Sequence, residues 1–209
     1  MITHCISTYN NLPYLKLAVQ SVRTHSYWKD APFIIHAENC TDGTNEWLRA
    51  MADQYDLTYY VDKNDNPKGI GGGMNFCAEK VSTEYINFLH SDFYVTKNWD
   101  LELMKVHDKY EDEKLWVNSF RIEPNMFGDN DRPGTHFVPK EAFGAYYDDF
   151  NPKLMLDYAK QIQKKMILKY LKEKVSPVLF ESLGGILLVA MTLYLLLLLG
   201  MTMICSSGC

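Results

Sequence analysis

The stretch from Gly69 to Trp99 constrains the fold of this chain more than any other. It opens with the glycine-rich run G-I-G-G-G and continues into a segment that we predict to be a helix from Met74 to Val81. The apolar run Tyr85 to Leu89 predicts a buried strand, and Asp92 follows it. Glycines allow a ligand close to the backbone, helix starts bind anions, and strand-end acids line the ligand crevice of open α/β sheets. The stretch therefore predicts an α/β fold with a site for a metal-bound phosphate ester.

Strand and helix patterns alternate through the first hundred residues. Further strands are predicted at Met1 to Thr8, Pro32 to His36 and Leu57 to Val61. A helix begins near Pro13, where one of the asparagines of Tyr9-Asn10-Asn11 can serve as its cap. A second helix follows the turn Asp42-Gly43-Thr44, whose Asp or Thr is expected to cap it. This alternation indicates a mostly parallel sheet with helices on both faces.

Composition limits the functional classes. With 209 residues, of which 47% are apolar, the chain is long enough for one main core. The net charge of -5 argues against nucleic-acid binding, which needs a concentrated basic surface. The five cysteines show no C-x-x-C spacing, so neither a zinc site nor a disulfide framework is indicated. No signal peptide is visible at the N-terminus, and we expect a cytoplasmic protein.

Four motifs in the first hundred residues together resemble the nucleotide-sugar domain of family 2 inverting glycosyltransferases of the GT-A fold. They are I-S-T-Y-N, E-N-C-T-D-G-T, G-I-G-G-G-M-N and L-H-S-D-F. In that family the second motif carries an acid pair and the fourth carries D-x-D. Here Ala37 and His90 stand in place of the first acid of each pair, whereas Glu38 and Asp92 stand at the second. The resemblance implies transfer of a sugar from a nucleoside-diphosphate sugar to an acceptor hydroxyl, with Mn²⁺ or Mg²⁺ as cofactor.

The resemblance and the chemistry of strand ends indicate the donor site. Glu38 can accept hydrogen bonds from a base N–H or a ribose hydroxyl, or it can be a solvated turn acid. Thr8 and Tyr9 can pack beside the nucleotide base. The predicted nucleotide-sugar contacts are Thr8, Tyr9, Glu38, Gly71, Gly72, Asn75 and Ser91. A dinucleotide fingerprint is disfavoured because Met74 stands where its third glycine should be.

Asp92 is the first candidate for a metal ligand, because Mg²⁺ and Mn²⁺ take carboxylate and phosphate oxygens. His90 is the second candidate, since strand alternation would put positions 90 and 92 on the same side. Its imidazole suits Mn²⁺ better than Mg²⁺. His90 either ligates the ion, hydrogen-bonds a phosphate or only packs.

The segment Arg121 to Phe150 is rich in proline, glycine and aromatic residues, and long irregular segments of this kind are usually functional or disordered. Its aromatic density argues against disorder. In the resembled family this region faces the acceptor. The candidate sugar contacts are Tyr146, Tyr147, Arg121 and His136, with surface packing as the alternative for each.

The rest of the chain completes the predicted organisation. A helix is expected at Asp100 to Lys109, a strand at Leu115 to Phe120 and an amphipathic helix at Asn151 to Lys174. We divide the chain into a nucleotide-sugar-binding domain at 1–120, an acceptor-side region at 121–182 and an apolar tail at 183–209. The acceptor region is expected to be incomplete.

The tail has two interpretations. Ser182 to Cys209 contains no charged residue, and Gly184 to Ile204 has about the ~20 residues of a membrane span. Read literally, the tail is an anchor, and the preceding lysines would keep the domain in the cytoplasm. Alternatively, permitted codons for Met191 to Cys209, read one nucleotide back, encode a W-D-D-D-D segment like the acceptor-side acidic motif of the resembled family. The chain would then be truncated or frameshifted and would lack its catalytic base.

Three functions remain open from the sequence. The favoured one is the glycosyltransferase, with a saccharide, lipid or protein as acceptor. A tail-anchored nucleotide-sugar-binding protein without catalysis is the second. A nucleotidyltransferase is the third, although Ile6 to Asn10 lacks the basic, glycine-rich loop that it would need after the first strand.

Overall fold

The computed structural model describes residues 1–109, 117, 119–125, 135–174 and 203–206. In chain order the elements are β1 (Ile2–Thr8), α1 (Leu12–His25), β2 (Phe33–Glu38), α2 (Thr44–Tyr55), β3 (Leu57–Asp62), α3 (Gly69–Ala78), β4 (Tyr85–Phe88), α4 (Trp99–Asp108), β5 (Arg121–Pro124), β6 (Thr135–Val138), a 3₁₀ turn (Lys140–Ala142), α5 (Pro152–Lys174) and β7 (Met203–Ser206).

The main sheet has the strand order β3-β2-β1-β4-β7. Strands β1 to β4 are parallel to one another, and β7 is antiparallel to β4. In the register between β1 and β2, Ser7 is opposite His36 and Thr8 is opposite Ala37. Helices α1, α2 and α3 connect β1 to β2, β2 to β3 and β3 to β4, because parallel strands need a crossover connection. The predicted α/β class with a mostly parallel sheet is confirmed.

Each face of the sheet has its own apolar core, because alternate strand residues point to opposite faces. On one face, Ile6 and Ile35 pack in a cluster with residues of α1, α2 and α4. On the other face, Cys5 and Ile34 pack against Cys77 of α3. Helices therefore cover both faces, as predicted.

The buried polar residue His4 lies inside the larger core. His4 is completely buried between Phe33 and Trp99, with ring centroids 5.1 and 5.5 Å away. Burial, together with the charge of Arg23, lowers the pKa of His4 to about 3. The imidazole is therefore neutral in the folded protein near neutral pH.

The helix predicted at Met74 to Val81 begins earlier than its sequence pattern indicated. It starts at Gly69 and ends at Ala78, so the glycine run forms the first turns of α3 and not a loop before it. Close packing on the sheet explains the glycine at position 73. A Cβ on Gly73 would overlap the Ser7 hydroxyl and lie 2.8 Å from Nδ1 of His36.

The acceptor-side region is more regular than its composition predicted. Strands β5 and β6 form a two-stranded parallel sheet, in which Glu123 is opposite Phe137. Helix α5 begins at Pro152, close to the predicted Asn151, whose side-chain oxygen accepts a hydrogen bond from the Leu154 amide at 3.1 Å. Half of the strand predicted at Leu115 to Phe120 lies outside the described residues.

Both interpretations of the tail fall mainly outside the described residues. Within 183–209 only Met203–Ser206 is described, and it forms β7. No helix in the described part of the chain is long and apolar enough to cross a membrane. The domain division at 120 and 182 stays a prediction.

Candidate functional site

The predicted donor-site residues gather at one edge of the main sheet. Thr8 ends β1, Glu38 ends β2, and Asp92 follows β4 after a short turn. Because β1 to β4 are parallel, these positions lie at the same carboxyl-end edge, where open α/β sheets bind ligands. We call this the strand-end edge.

Glu38 at the strand-end edge is occupied by protein donors. The residue is only 5% exposed. One carboxylate oxygen accepts hydrogen bonds from the Lys68 amide at 2.8 Å and the Asn64 side chain at 3.2 Å, and the other from the Gly69 amide at 3.0 Å. Burial alone would raise the pKa of Glu38, but these hydrogen bonds outweigh it and lower that pKa.

These bonds change the predicted role of the glycine segment. The start of α3 was expected to offer unpaired N–H groups to a phosphate, yet the Lys68 and Gly69 amides donate to Glu38. For these two amides the expectation is wrong, because a buried carboxylate inside the chain already accepts their hydrogen bonds. A nucleotide contact of Glu38 stays a prediction.

Asp62 is a strand-end acid that the sequence reasoning missed. Its carboxylate is hydrogen-bonded to Nε2 of the buried His36 at 3.0 Å and to the Lys68 ammonium at 2.9 Å. The hydrogen bond to His36, followed by that to Lys68, lowers the pKa of Asp62. Its position directly after the apolar run of β3 could have identified it from the sequence as a strand-end acid.

Asp42 caps two helices at once. One oxygen accepts hydrogen bonds from the Thr44 amide at 3.1 Å and the Thr44 hydroxyl at 2.6 Å, at the start of α2. The other accepts the Leu12 amide at 2.8 Å, at the start of α1. The predicted capping role of the Asp42 turn is confirmed.

Because Asp42 reaches the first turn of α1, the predicted asparagine cap is wrong. Asn11 precedes that helix, but its side chain makes no capping hydrogen bond. Its amide instead donates to the Ser91 hydroxyl at 2.9 Å. Asn11 thereby ties the start of α1 to the turn after β4.

The turn after β4 holds both candidate metal ligands. Strand β4 ends at Phe88, so the alternation argument that placed His90 and Asp92 on the same side does not apply. The exposed His90 packs its ring against Phe93, with centroids 4.8 Å apart. Asp92 is exposed, and its carboxylate makes no hydrogen bond or ion pair within the described part of the chain. Ser91 is buried.

The described residues contain no group of three or more His, Cys, Asp or Glu side chains that could hold a metal ion. Asp92 alone still suits a divalent cation that takes its remaining ligands from phosphate and water, because Mg²⁺ is commonly held by one or two carboxylates. His90 is placed for packing on Phe93, which was one of its three alternatives.

The other predicted donor contacts are spread over β1 and α3. Thr8 is buried, and its hydroxyl has no hydrogen-bond partner among the described residues, whereas Tyr9 is 66% exposed. Gly71 and Asn75 are exposed on α3. A Cβ on Gly71 would meet open space, whereas one on Gly72 would lie 2.6 Å from Cβ of Lys68. Their roles in nucleotide binding stay predictions.

A cavity of about 420 Å³ lies between the turn after β4 and the acceptor-side region. Asp92 is in its wall, together with Asn11. Its aromatic residues come from both parts of the chain: Tyr14, Phe93 and Tyr94 from the first, and Phe143, Tyr146, Tyr147 and Phe150 from the second. We call this space the aromatic cavity.

The structure brings two of the four predicted acceptor contacts to the aromatic cavity. Tyr146 and Tyr147 line it. Arg121 instead forms an ion pair with Glu123 at 3.2 Å, and Nε2 of His136 is 2.7 Å from the Tyr158 hydroxyl. Tyr14, Phe93 and Tyr94 were not predicted for this site, because they lie in separate segments that only the fold brings together.

A sequence profile for the family described as Glycosyl transferase family 2 matches residues 3–169. A search of curated proteins finds no match.

Several solved structures are similar. The crystal structure of S. aureus TarS is 19% identical over 68% of this chain and 24% of TarS, with a TM-score of 0.45. TarS 1-349 in complex with UDP-GlcNAc is 20% identical over 68% of this chain and 38% of that one, also with a TM-score of 0.45. The mannosyltransferase PcManGT from Pyrobaculum calidifontis, in complex with GDP-Man and Mn²⁺, is 20% identical over 48% of this chain and 30% of that one, with a TM-score of 0.42. The chain thus spans well under half the length of each of these proteins.

Proposed function

This chain belongs to glycosyl transferase family 2, and we propose that it transfers a sugar from a nucleoside-diphosphate sugar to an acceptor hydroxyl. The observation that carries the proposal is the position of Asp92. It is an exposed strand-end acid without a partner in the described chain, and it lies in the wall of the aromatic cavity. Donor and acceptor sites would therefore meet at one carboxylate.

The donor would lie along the strand-end edge. Thr8 and Tyr9 would flank the base, and the exposed faces of Gly71 and Asn75 leave room for the donor beside α3. Glu38 would contribute by fixing the start of α3 through its bonds to Lys68 and Gly69, whether or not it also contacts the nucleotide. Gly72 and Ser91 are the remaining residues that we propose as contacts of the nucleotide sugar.

Asp92 would hold the divalent cation, Mn²⁺ or Mg²⁺. Its exposed carboxylate suits the oxygen-rich coordination of these ions, and His90 would need to leave Phe93 to join it. A bound cation neutralises the charge that develops on the departing diphosphate. Asn11, through Ser91, would keep the turn that carries Asp92 in place.

The reaction needs a base as well as a donor site. The acceptor oxygen attacks the anomeric carbon, the bond from that carbon to the diphosphate oxygen breaks, and the hydroxyl proton passes to a carboxylate. We place this carboxylate in the acidic segment that 183–209 would encode in the alternative frame. The 209-residue chain should bind donor and transfer little or no sugar.

Donor binding is the direct test. We expect titration calorimetry to show binding of UDP or GDP sugars that strengthens at least tenfold with Mn²⁺, and we expect Asp92→Asn to remove that gain. Asp53→Asn, an exposed acid on α2, is the matched control and should bind as the parent does. Equal Mn²⁺-dependent binding by Asp92→Asn and the parent would refute the metal assignment.

The tail is tested separately. Resequencing codons 183 to 209 distinguishes a frame error from a true apolar tail. If the tail spans a membrane, with the domain in the cytoplasm, the protein should resist carbonate extraction. If the frame is corrected instead, a soluble protein with transfer activity is expected. Robust transfer by the uncorrected chain would show that the base lies before residue 183.

A further inference from the structure

The buried part of the aromatic cavity is apolar. Val138, Met155 and Ala159 line it and are at most 7% exposed. The charged residues in its wall are Asp92 and Lys140, and neither side chain is buried. A sugar hydroxyl placed against the aliphatic wall would lose its hydrogen bonds to water without replacement, which is unfavourable. The interior therefore suits an alkyl or aryl group.

The mouth of the cavity has a different chemistry. Tyr146 and Tyr147 line it and are 61% and 47% exposed. Large exposed aromatic rings with hydroxyl groups suit a ligand that has both an apolar face and polar edges. The cavity thus changes from amphipathic at its mouth to apolar inside.

The loop that carries these tyrosines is held by its own hydrogen bonds. Asp149 accepts the Ala145 amide at 3.0 Å and the Tyr146 amide at 2.7 Å. Gly144 has a φ of 103°, and a Cβ there would overlap the Asp149 carbonyl oxygen. The tyrosines are therefore presented before any ligand arrives, which lowers the entropic cost of binding.

Two aromatic contacts join this loop to the first part of the chain. Tyr147 packs edge-on against Tyr14, with centroids 5.7 Å apart, and Phe150 packs against Tyr94 at 5.3 Å. These contacts keep the cavity next to the turn that carries Asp92. A ligand with its apolar group inside the cavity can therefore direct a polar end toward Asp92.

We infer that the aromatic cavity binds an acceptor with an apolar body, of the class of alkyl or aryl glycosides, and selects it over a glycoside of the same sugar whose apolar group is only a methyl. This inference rests on the proposed function, because the bound glycoside is an acceptor only if the protein transfers a sugar to it. Its physical basis is the apolar interior, the fixed tyrosine loop and the adjacent acid. The volume of about 420 Å³ is within the range of roughly 300–1,000 Å³ for small-molecule sites.

The test compares two glycosides that share a sugar and differ only in the alkyl group. Hexyl β-D-glucopyranoside and methyl β-D-glucopyranoside are titrated into the full chain, with binding followed by calorimetry and by saturation-transfer NMR. We expect the hexyl compound to bind at least tenfold more tightly. Equal affinities, tighter methyl binding, or no binding of either compound would overturn the inference.

Cavity variants test whether the glycoside binds in the aromatic cavity. Ala159→Phe fills the interior and should weaken hexyl glucoside binding at least tenfold, while Tyr27→Ala, an exposed aromatic outside the cavity, should leave it unchanged. If Ala159→Phe does not fold, Tyr147→Ala removes an exposed side chain at the mouth and should weaken binding at least threefold. Binding that resists every folded cavity variant would place the glycoside elsewhere and overturn the inference.

A parallel titration with UDP and Mn²⁺ separates the two proposals. A cavity variant that loses hexyl glucoside but keeps UDP supports the cavity inference and leaves the donor site intact. If the parent binds hexyl glucoside and not UDP, the proposed function fails while the apolar selectivity of the cavity holds. If it binds UDP and shows no preference between the glycosides, the cavity inference fails alone.

Discussion

Four acids end or follow the parallel strands, and they divide into two kinds. Glu38, Asp42 and Asp62 each accept two or more hydrogen bonds from protein donors. Asp92 accepts none within the described chain. An acid after a parallel strand is therefore a ligand candidate only if the fold leaves its oxygens available.

Helix starts account for much of the difference. Glu38 lies beside the start of α3, and Asp42 lies beside the starts of α1 and α2. Unpaired amide groups at a helix start attract carboxylates and satisfy them. After β4 the next helix, α4, begins only at Trp99, and no described amide donates to Asp92. Its carboxylate stays open to solvent and to the aromatic cavity.

The largest expected effect concerns the packing of α3 beneath the satisfied acids. Gly73→Ala places a Cβ against Ser7 and His36, and overpacking of this kind costs about 1–3 kcal/mol in the free energy of unfolding. Gly71→Ala is the matched control, because its Cβ meets open space. Alanine in a helix should stabilise by about 0.5–1 kcal/mol. Urea denaturation measures both, and equal effects would show that α3 does not rest on Gly73.

Glu38→Gln tests whether the satisfied acids are structural. The neutral amide keeps the shape of the side chain but loses the charge to which the Lys68 and Gly69 amides donate. Because hydrogen bonds to charged groups are stronger than neutral ones, we expect the free energy of unfolding to fall by about 1–2 kcal/mol. Urea denaturation at pH 7 gives the value. A variant as stable as the parent would mean that Glu38 is kept for a ligand and not for the helix start.

The pH dependence of this difference sharpens the test. The folded protein lowers the pKa of Glu38, so the stabilisation is complete above the ordinary glutamate pKa of 4.5 and is lost as pH falls through the folded value. The parent and Glu38→Gln should therefore converge in unfolding free energy between pH 5 and strongly acidic pH. His4, with its pKa of about 3, also destabilises the fold below its ordinary value of 6.5, but equally in both proteins.

The strands and most helices could be predicted because their apolar patterns are local. The start of α3 could not, since glycines favour turns and only the close packing of Gly73 on Ser7 shows why they lie in a helix. The same limit applies to Glu38. Its position after β2 was visible in the sequence, whereas its bonds to Lys68 and Gly69 depend on where α3 begins.

The aromatic cavity was only half predictable. Tyr146 and Tyr147 stand in a conspicuous aromatic segment, and the structure places both in the cavity. Tyr14 and Tyr94 lie far away in the sequence and join them only through tertiary contacts. The pattern of residues in one sequence does not show which residues far apart in the chain will pack together.

A smaller effect is expected at the double cap. Asp42→Asn retains an acceptor oxygen but loses the charge that serves the starts of α1 and α2, and loss of a cap costs about 0.5–2 kcal/mol. Mn²⁺-dependent donor binding should be unchanged. The variant Asp53→Asn provides the baseline for an exposed acid on α2. A loss of donor binding without a loss of stability would move Asp42 into the ligand-binding group.

The smallest expected change in stability is at Asp92. Its exposed carboxylate makes no hydrogen bond or ion pair in the described chain, so Asp92→Asn should alter the free energy of unfolding by no more than about 0.5 kcal/mol, as for other surface substitutions. The same variant should lose the Mn²⁺-dependent part of donor binding. Urea denaturation is measured first without metal and then with Mn²⁺ and UDP. The ligands should stabilise the parent but not the variant, because a ligand that binds only the folded state raises the stability of that state. A variant that is destabilised without metal would show that Asp92 has a structural partner, and the contrast with Glu38 would fail.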